Sequence, residues 1–186
     1  FHLQEGGRPA FMIRAVLAAT LSSVYGIYSG FELCENAALP DREEYLDSEK
    51  YQWKERDWNA AGNIKDFITR LNQIRQENRA LHYYDNLRFY TADNDSILFY
   101  GKMTPAKDNI ILVVLNLDPF LSHNSYIHVP IGDFGAMDSD TYQVQDLLTD
   151  ERYIWRGSRN YVELDPHTRP VHIFRVRRWV SGEKFA

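Results

Sequence analysis

A single cysteine, Cys34, occurs in 186 residues. No internal disulfide framework is available to the chain, and a reducing cytoplasm fits it best. Cysteines and histidines nowhere cluster at zinc spacing, so no metal and no cofactor is expected. No apolar run approaches the roughly twenty residues of a membrane-spanning helix, and a membrane is not an expected partner. Positive charge is in deficit: 21 Lys and Arg stand against 26 Asp and Glu, a net charge of -5. That balance removes the electrostatic reason to expect nucleic acid as a partner. A signal peptide is lacking, and the first segment, from Phe1, reads as the middle of something longer, so a fragment is expected. What the chain does have is 44% hydrophobic residues, enough core for one ordinary domain or for a small domain with part of a larger one.

The pattern changes along the chain. Arg8-Pro9 signals a helix start, because proline in the first turn loses no hydrogen bond the helix would make. Gly6-Gly7 before it permits a sharp turn. Ile13, Val16, Leu17 and Thr20 then recur at helical spacing, with small alanines between them that allow close packing. Val24 to Tyr28 reads as a short apolar strand, followed by Ser29-Gly30-Phe31-Glu32. From Leu33 to Ala61 periodicity is lost, a length of loop that points to function. A second helix runs from about Asn63, its expected N-cap, to Asn78. Ile64, Phe67, Ile68, Leu71 and Ile74 form its buried stripe.

After Arg79 the period becomes alternating. Leu87–Tyr90 and Ser96–Tyr100 read as a hairpin through Asp93-Asn94-Asp95. Asn109 to Leu117 reads as a central strand covered on both faces. Tyr126–Val129, Tyr142–Leu148, Asn160–Leu164 and Val171–Val176 continue at hairpin-like intervals, the signature of an antiparallel β-sandwich. A boundary near Leu81 divides 1–80, the end of an α/β unit, from 81–186, the β domain. Helix, buried strand and long polar loop form the repeating unit of a parallel (β/α)8 barrel, in which the loops after the strands carry function.

Glu43-Glu44-Tyr45-Leu46-Asp47-Ser48-Glu49-Lys50-Tyr51 is the most informative stretch. Carboxylates, hydroxyl groups and one lysine, packed between a strand and a helix, suit a polyol-binding loop on a rigid scaffold. The bland alternative is a solvated charged loop. An ammonium offers three donors to sugar hydroxyls, and a tyrosine ring can lie along a sugar face while its hydroxyl bonds an oxygen. Glu32 would stand at the functional rim, or tie down its loop as a structural carboxylate. Asp47 and Glu49 either orient Lys50 or are solvated. Trp53, Trp58, Trp155 and Trp179 could stack on a glucan, but Trp58 at a domain junction is read as core. His82-Tyr83-Tyr84 is expected to pack that junction. His123 and His128, five apart in a strand region, fall on opposite faces rather than around one metal. Cys34 has no histidine neighbour in sequence, which argues against a nucleophile.

Tyr25-Gly26-Ile27-Tyr28-Ser29-Gly30-Phe31-Glu32 resembles the last barrel strand of the alpha-amylase superfamily, glycoside hydrolase family 13. Val114-Leu115-Asn116-Leu117-Asp118 and Asp146-Leu147-Leu148-Thr149 resemble its C-terminal β domain. Gly6 to Phe11, Tyr28 to Asn36, Glu43 to Tyr51 and Arg56-Asp57-Trp58 together are similar to the maltosyltransferases of that superfamily. The resemblance covers nearly the whole chain. It implies the end of a (β/α)8 barrel, a TIM barrel, followed by the β-sandwich. It also implies a transferase that moves maltosyl units from maltose 1-phosphate to α-1,4-glucan with retention, in a homodimeric parent. The three carboxylates of such a reaction would lie upstream, leaving no catalytic residue in this chain. Lys50 and Tyr51 match the lysine-tyrosine pair that contacts the donor. Two alternatives stand beside this: a fragment of another enzyme of the superfamily, an amylase or a trehalose-forming one, and a free-standing carbohydrate-binding β-module.

Overall fold

The computed structural model describes residues 2–39, 46 and 53–177. Helix α1 (His2–Leu21) is broken at Gly7, whose φ of 51° and ψ of -145° are non-helical. Only glycine takes that conformation without strain, so a short N-terminal turn leads into the helix proper at Arg8-Pro9. Phe11, Ile13, Val16 and Ala19 are then buried along one face. Helix α2 (Lys65–Glu77) buries Ile68, Leu71 and Ile74, as its sequence predicts. Asn63 acts one residue before the cap position, its Oδ1 accepting the Lys65 N–H at 3.2 Å. The last carbonyls of a helix lack partners within it. Here Arg75 of α2 supplies one, donating to the carbonyls of Ala19, Ser22 and Ser23 at the end of α1.

The strand expected at Val24 to Tyr28 is not formed. Val24 and Tyr28 are exposed, and the segment is irregular backbone crossing from α1 to the following loop. Its composition favours a strand, but a strand exists only where a neighbour takes its N–H and C=O groups. None of the described strands pairs with it.

Eight antiparallel strands follow: β1 (Leu87–Tyr90), β2 (Ile97–Met103), β3 (Ile110–Asn116), β4 (His123–His128), β5 (Thr141–Asp146), β6 (Arg152–Arg156), β7 (Arg159–Leu164) and β8 (Val171–Arg177), with a one-turn helix α3 (Ile131–Phe134) between β4 and β5. They make a six-stranded sheet in the order β1-β2-β3-β8-β5-β6 and a two-stranded sheet β4-β7. The alternating pattern identified seven of them. The eighth, β6, was obscured because its outward-facing Ile154 is apolar and joins Tyr153 and Trp155 in a run of three that hides the alternation. α3 lies between Pro130 and Gly135 and is too short for any period to show.

The sandwich is unequal, and this explains why β3 is buried at every position. Ile111, Val113 and Leu115 meet α1 and α2, in a core that includes Phe11, Ile13 and Leu71. Ile110, Leu112 and Val114 face the other way, toward Ile127, Val162 and Leu164 of the two-stranded sheet. Helices, large sheet and small sheet are thus stacked as layers, with β3 in the middle. Around Leu81 the chain is stitched to the β2–β3 hairpin: Asn109 Oδ1 accepts the Ala80 N–H at 2.9 Å and Asn109 Nδ2 donates to Asn78 Oδ1 at 3.0 Å. His82 Nε2 donates to the Arg75 carbonyl at 2.6 Å. Tyr84, by contrast, is 83% exposed and packs no junction.

Candidate functional site

The loop after α1 is built from local turns. Gly30 at φ 98° and Cys34 at φ 57° both adopt the left-handed conformation and flank a single 3-10 turn, Phe31–Leu33. The Gly30 carbonyl accepts both the Leu33 and Glu35 N–H groups at 3.1 Å. The Phe31 ring lies 4.9 Å from that of Phe11, fixing the turn to α1. The Glu32 carbonyl accepts the Ile64 N–H at 2.9 Å, fixing it to the start of α2.

Glu35 is the electrostatic centre of this loop. Its Oε1 accepts from Arg56 Nε at 3.0 Å and its Oε2 from Lys54 Nζ at 3.1 Å. Arg56 Nη2 also reaches the Ser29 carbonyl at 3.4 Å. The carboxylate sits directly over Gly30: a Cβ there would lie 2.3 Å from Glu35 Oε2. Partial burial pushes the Glu35 carboxyl up, but the hydrogen bonds and charges of Lys54 and Arg56 outweigh it and hold it below the ordinary glutamate value. A carboxylate held between two cations is a poor proton donor, so Glu35 is a clamp rather than a general acid.

The sequence-predicted site residues fare as follows. Lys50 and Tyr51 lie outside the described residues, as do Asp47, Glu49 and the rest of the acidic run except Leu46. The described flanks converge on the Glu35 loop: the Leu46 N–H donates to the Ala37 carbonyl at 2.9 Å, and Lys54 and Arg56 bind Glu35. Glu32 behaves as the structural carboxylate of the two readings, accepting the Gly30 N–H at 3.2 Å. Trp58, read as core, is 49% exposed, and Trp53 is 83% exposed. Residues 53–62 form no helix or strand and are mostly exposed, so neither ring has a layer to enter. Trp155 is buried, and Trp179 lies outside the described residues.

His123 and His128 are separately paired, with Asp118 at 3.0 Å and Asp93 at 2.6 Å, and share no site. Among the described residues no group of His, Cys, Asp or Glu is placed to hold a metal ion. Cys34 Sγ lies 3.5 Å from the Gly62 carbonyl, and burial pushes its thiol up against the opposing pull of Arg8, the wrong direction for a nucleophile. The Glu35–Arg56 clamp was missed because nothing in a pair 21 residues apart marks it as a contact.

Residues 89–176 match the family described as "GLGE, C-terminal". Over 176 residues the chain is 58% identical to the alpha-1,4-glucan:maltose-1-phosphate maltosyltransferase of Rhodospirillum rubrum, covering 95% of this chain and 26% of that protein. It is 46% identical over 181 residues to the enzyme of the same name from Myxococcus xanthus, covering 97% of this chain and 27% of that one. The chain therefore spans about a quarter of the length of these curated relatives. Among solved structures, a variant of AmyP in complex with maltotriose superposes with a TM-score of 0.65 at 14% identity, over 92% of this chain and 35% of that one. An alpha-amylase from Geobacillus thermoleovorans complexed with acarbose gives 0.61 at 16% identity, over 93% and 34%. At such identities these two show the fold alone: an antiparallel β domain like that of the alpha-amylases. Residues 89–176 thus match the GLGE C-terminal family, and along nearly its whole length the chain is similar to the C-terminal quarter of proteins named alpha-1,4-glucan:maltose-1-phosphate maltosyltransferase.

Proposed function

We propose that the chain is the C-terminal part of a retaining maltosyltransferase. The parent enzyme breaks the bond between the anomeric carbon and phosphate in α-maltose 1-phosphate. It forms a new α-1,4 bond to the non-reducing end of a glucan and releases phosphate. The observation that carries this reading is the 58% identity, along nearly the whole chain, to a protein bearing that name. Residues 1–80 are the end of the catalytic barrel with its donor loop, and 81–186 are the appended β domain. Retention requires a carboxylate nucleophile and a carboxylic acid/base; both belong to the part of the enzyme outside this chain, which by itself transfers nothing. The parent works in the cytoplasm as a homodimer, without a cofactor.

Lys50 and Tyr51 hold the donor. The described residues flanking their segment, Leu46 and Lys54, are bonded to Ala37 and Glu35 of the loop 29–37, which gives the pair an anchored support. The test is kinetic, in the full-length protein. Lys50→Ala should lower kcat/KM for maltose 1-phosphate roughly tenfold or more, the loss of about 1.4 kcal/mol or above, and Tyr51→Phe should lower it less. Unchanged kinetics in both folded variants would remove them from the site. Absence of any phosphate release by the wild type in the presence of a glucan acceptor would overturn the reading itself.

A further inference from the structure

The face of the large sheet that packs against α1 and α2 is not covered to its edge. Val171 and Ile173 of β8 belong to the core under the helices. Arg175 and Arg177 follow on the same side, because residues two apart along a strand share a face. The ladder carries that face outward: Arg175 pairs with Gln145 and Gln145 with Arg152, Arg177 pairs with Gln143 and Gln143 with Ile154, and Thr141 pairs with Arg156. Ile154 is 56% exposed, so no layer of described residues lies over β6. The guanidiniums of Arg152, Arg156, Arg175 and Arg177 therefore stand on one side of three adjacent strands.

A chain in which 26 acidic residues outnumber 21 basic ones has carboxylates enough to neutralise such a cluster. The sheet positions between the arginines are instead two glutamines, a threonine and an isoleucine. Among the described residues the guanidiniums of Arg152, Arg156 and Arg177 have neither a hydrogen-bond nor an ion-pair partner. Arg175 is held in place from below: its Nη2 donates to Gln145 Oε1 at 3.2 Å, and Gln145 Nε2 donates to Asp150 Oδ1 at 3.3 Å. Arg70 Nη2 donates to the same oxygen at 3.0 Å, which commits Asp150 to Arg70 and Gln145. Arg175 Nε is buried and meets no acceptor. Burial, and next the charge of Arg177, push the Arg175 guanidinium down; Arg152 acts with them, and Glu77 and Asp150 oppose. Like charges gathered on one face without counter-charges repel one another. An anion seated among them removes that cost.

The geometry also restricts which anion. A planar carboxylate presents one edge to one guanidinium fork, whereas a phosphoryl group offers oxygens to several forks at once. Adjacent strands are about 4.8 Å apart, so Arg152 and Arg175, separated by two such spacings, lie roughly 10 Å apart at their Cα atoms. Long side chains closing from that distance fit a group with several charged oxygens. The Gln143 amide, between Arg177 and Ile154 and without a side-chain partner among the described residues, adds a neutral donor.

We propose that this arginine face binds an anion carrying two or more phosphoryl groups, either an inorganic polyphosphate or the phosphate chain of a nucleotide. It lies on the β domain, and it stands or falls independently of the transferase reading.

The test uses the full-length protein, inorganic pyrophosphate and ATP as probes, and hydrogen–deuterium exchange as readout, which separates this face from any other phosphate site. Millimolar pyrophosphate should slow exchange in 141–145, 152–156 and 173–177. Arg152→Gln should shift the midpoint of that protection about fivefold to tenfold toward higher pyrophosphate, and Arg152→Lys, which keeps the charge without the fork, should recover only part of the loss. Arg177→Gln is the second variant, with the same expected direction. Equal midpoints for pyrophosphate and ATP support the proposal and assign the site to the phosphate chain alone. A lower midpoint for ATP that Ile154→Ala abolishes supports it and assigns the site to a nucleotide. No slowed exchange in these segments with either probe overturns it. So does equal protection by a hexaglutamate peptide, or a midpoint unchanged in both Arg152→Gln and Arg177→Gln.

Discussion

The loop 29–62 and the β domain 87–177 lie in one chain and are held in opposite ways. In the β domain each strand is fixed by a ladder of many equivalent hydrogen bonds, and β3 is buried on both sides by separate cores. Among the described residues of the loop, the ties are single contacts of different kinds, such as the left-handed Gly30, the Glu35 carboxylate shared by two cations, the Phe31 ring on Phe11 and the backbone bond from Leu46 to Ala37. Redundancy makes the first region tolerant of any one lost bond. Singularity makes the described part of the second sensitive to any one lost contact.

The comparison breaks most visibly in the core. Leu112→Ala, at a fully buried position, should destabilise the β domain by about 2–5 kcal/mol through lost burial and the cavity left behind. Urea unfolding followed by Trp155 fluorescence measures it; a cost under 1 kcal/mol would mean that the layers reclose around the gap.

Gly30→Ala should cost less globally and more locally. Its φ of 98° is costly for any side chain, of order 1–3 kcal/mol, and the new Cβ would strike Glu35 Oε2. Amide exchange should rise across 31–35 while β3 is untouched. Gly62→Ala is the control: its φ of 81° is also positive, but a Cβ there meets nothing within 4 Å, so the backbone penalty alone remains.

The smallest effect is the pH dependence of the clamp. The folded-state carboxyl of Glu35 is lowered from 4.5, so its contribution is fully present above the unfolded value and is lost as pH falls through the lowered folded one. Protection factors at 31–35, corrected for the intrinsic pH dependence of amide exchange, should therefore fall below about pH 4.5 in the wild type. Glu35→Gln should show lower protection at neutral pH and a flat protection factor across that window. Parallel acid profiles for the two proteins would show that Lys54 and Arg56 hold the loop without the carboxylate.

The same contrast decides what could be read from sequence. Periodicity sees what is redundant: Ile64 to Ile74 as a stripe, Ile110 to Asn116 as a strand buried on both faces, and the hairpin through Asp93-Asn94-Asp95 all recur in the structure. It fails where pairing is non-local. Val24 to Tyr28 has the composition of a strand without a partner among the described strands, and β6 has a partner but an apolar Ile154 on its outward face. Within the candidate site, Glu32 was recognised with its structural alternative, whereas Glu35 with Arg56 was not, because a single ion pair between distant loop residues leaves no repeating signal.

β3 offers a way to listen to both sides of the molecule at once. Because its odd-numbered residues from 111 to 115 touch the helical layer and its even-numbered residues from 110 to 114 touch the small sheet, neighbouring methyl groups are separate reporters. A spectroscopic label at Val113 registers events transmitted through α1 and α2, and one at Leu112 registers those arriving from the β4–β7 side. A ligand that shifts one signal and leaves its neighbour still has been located to a face of the protein by a single peptide unit.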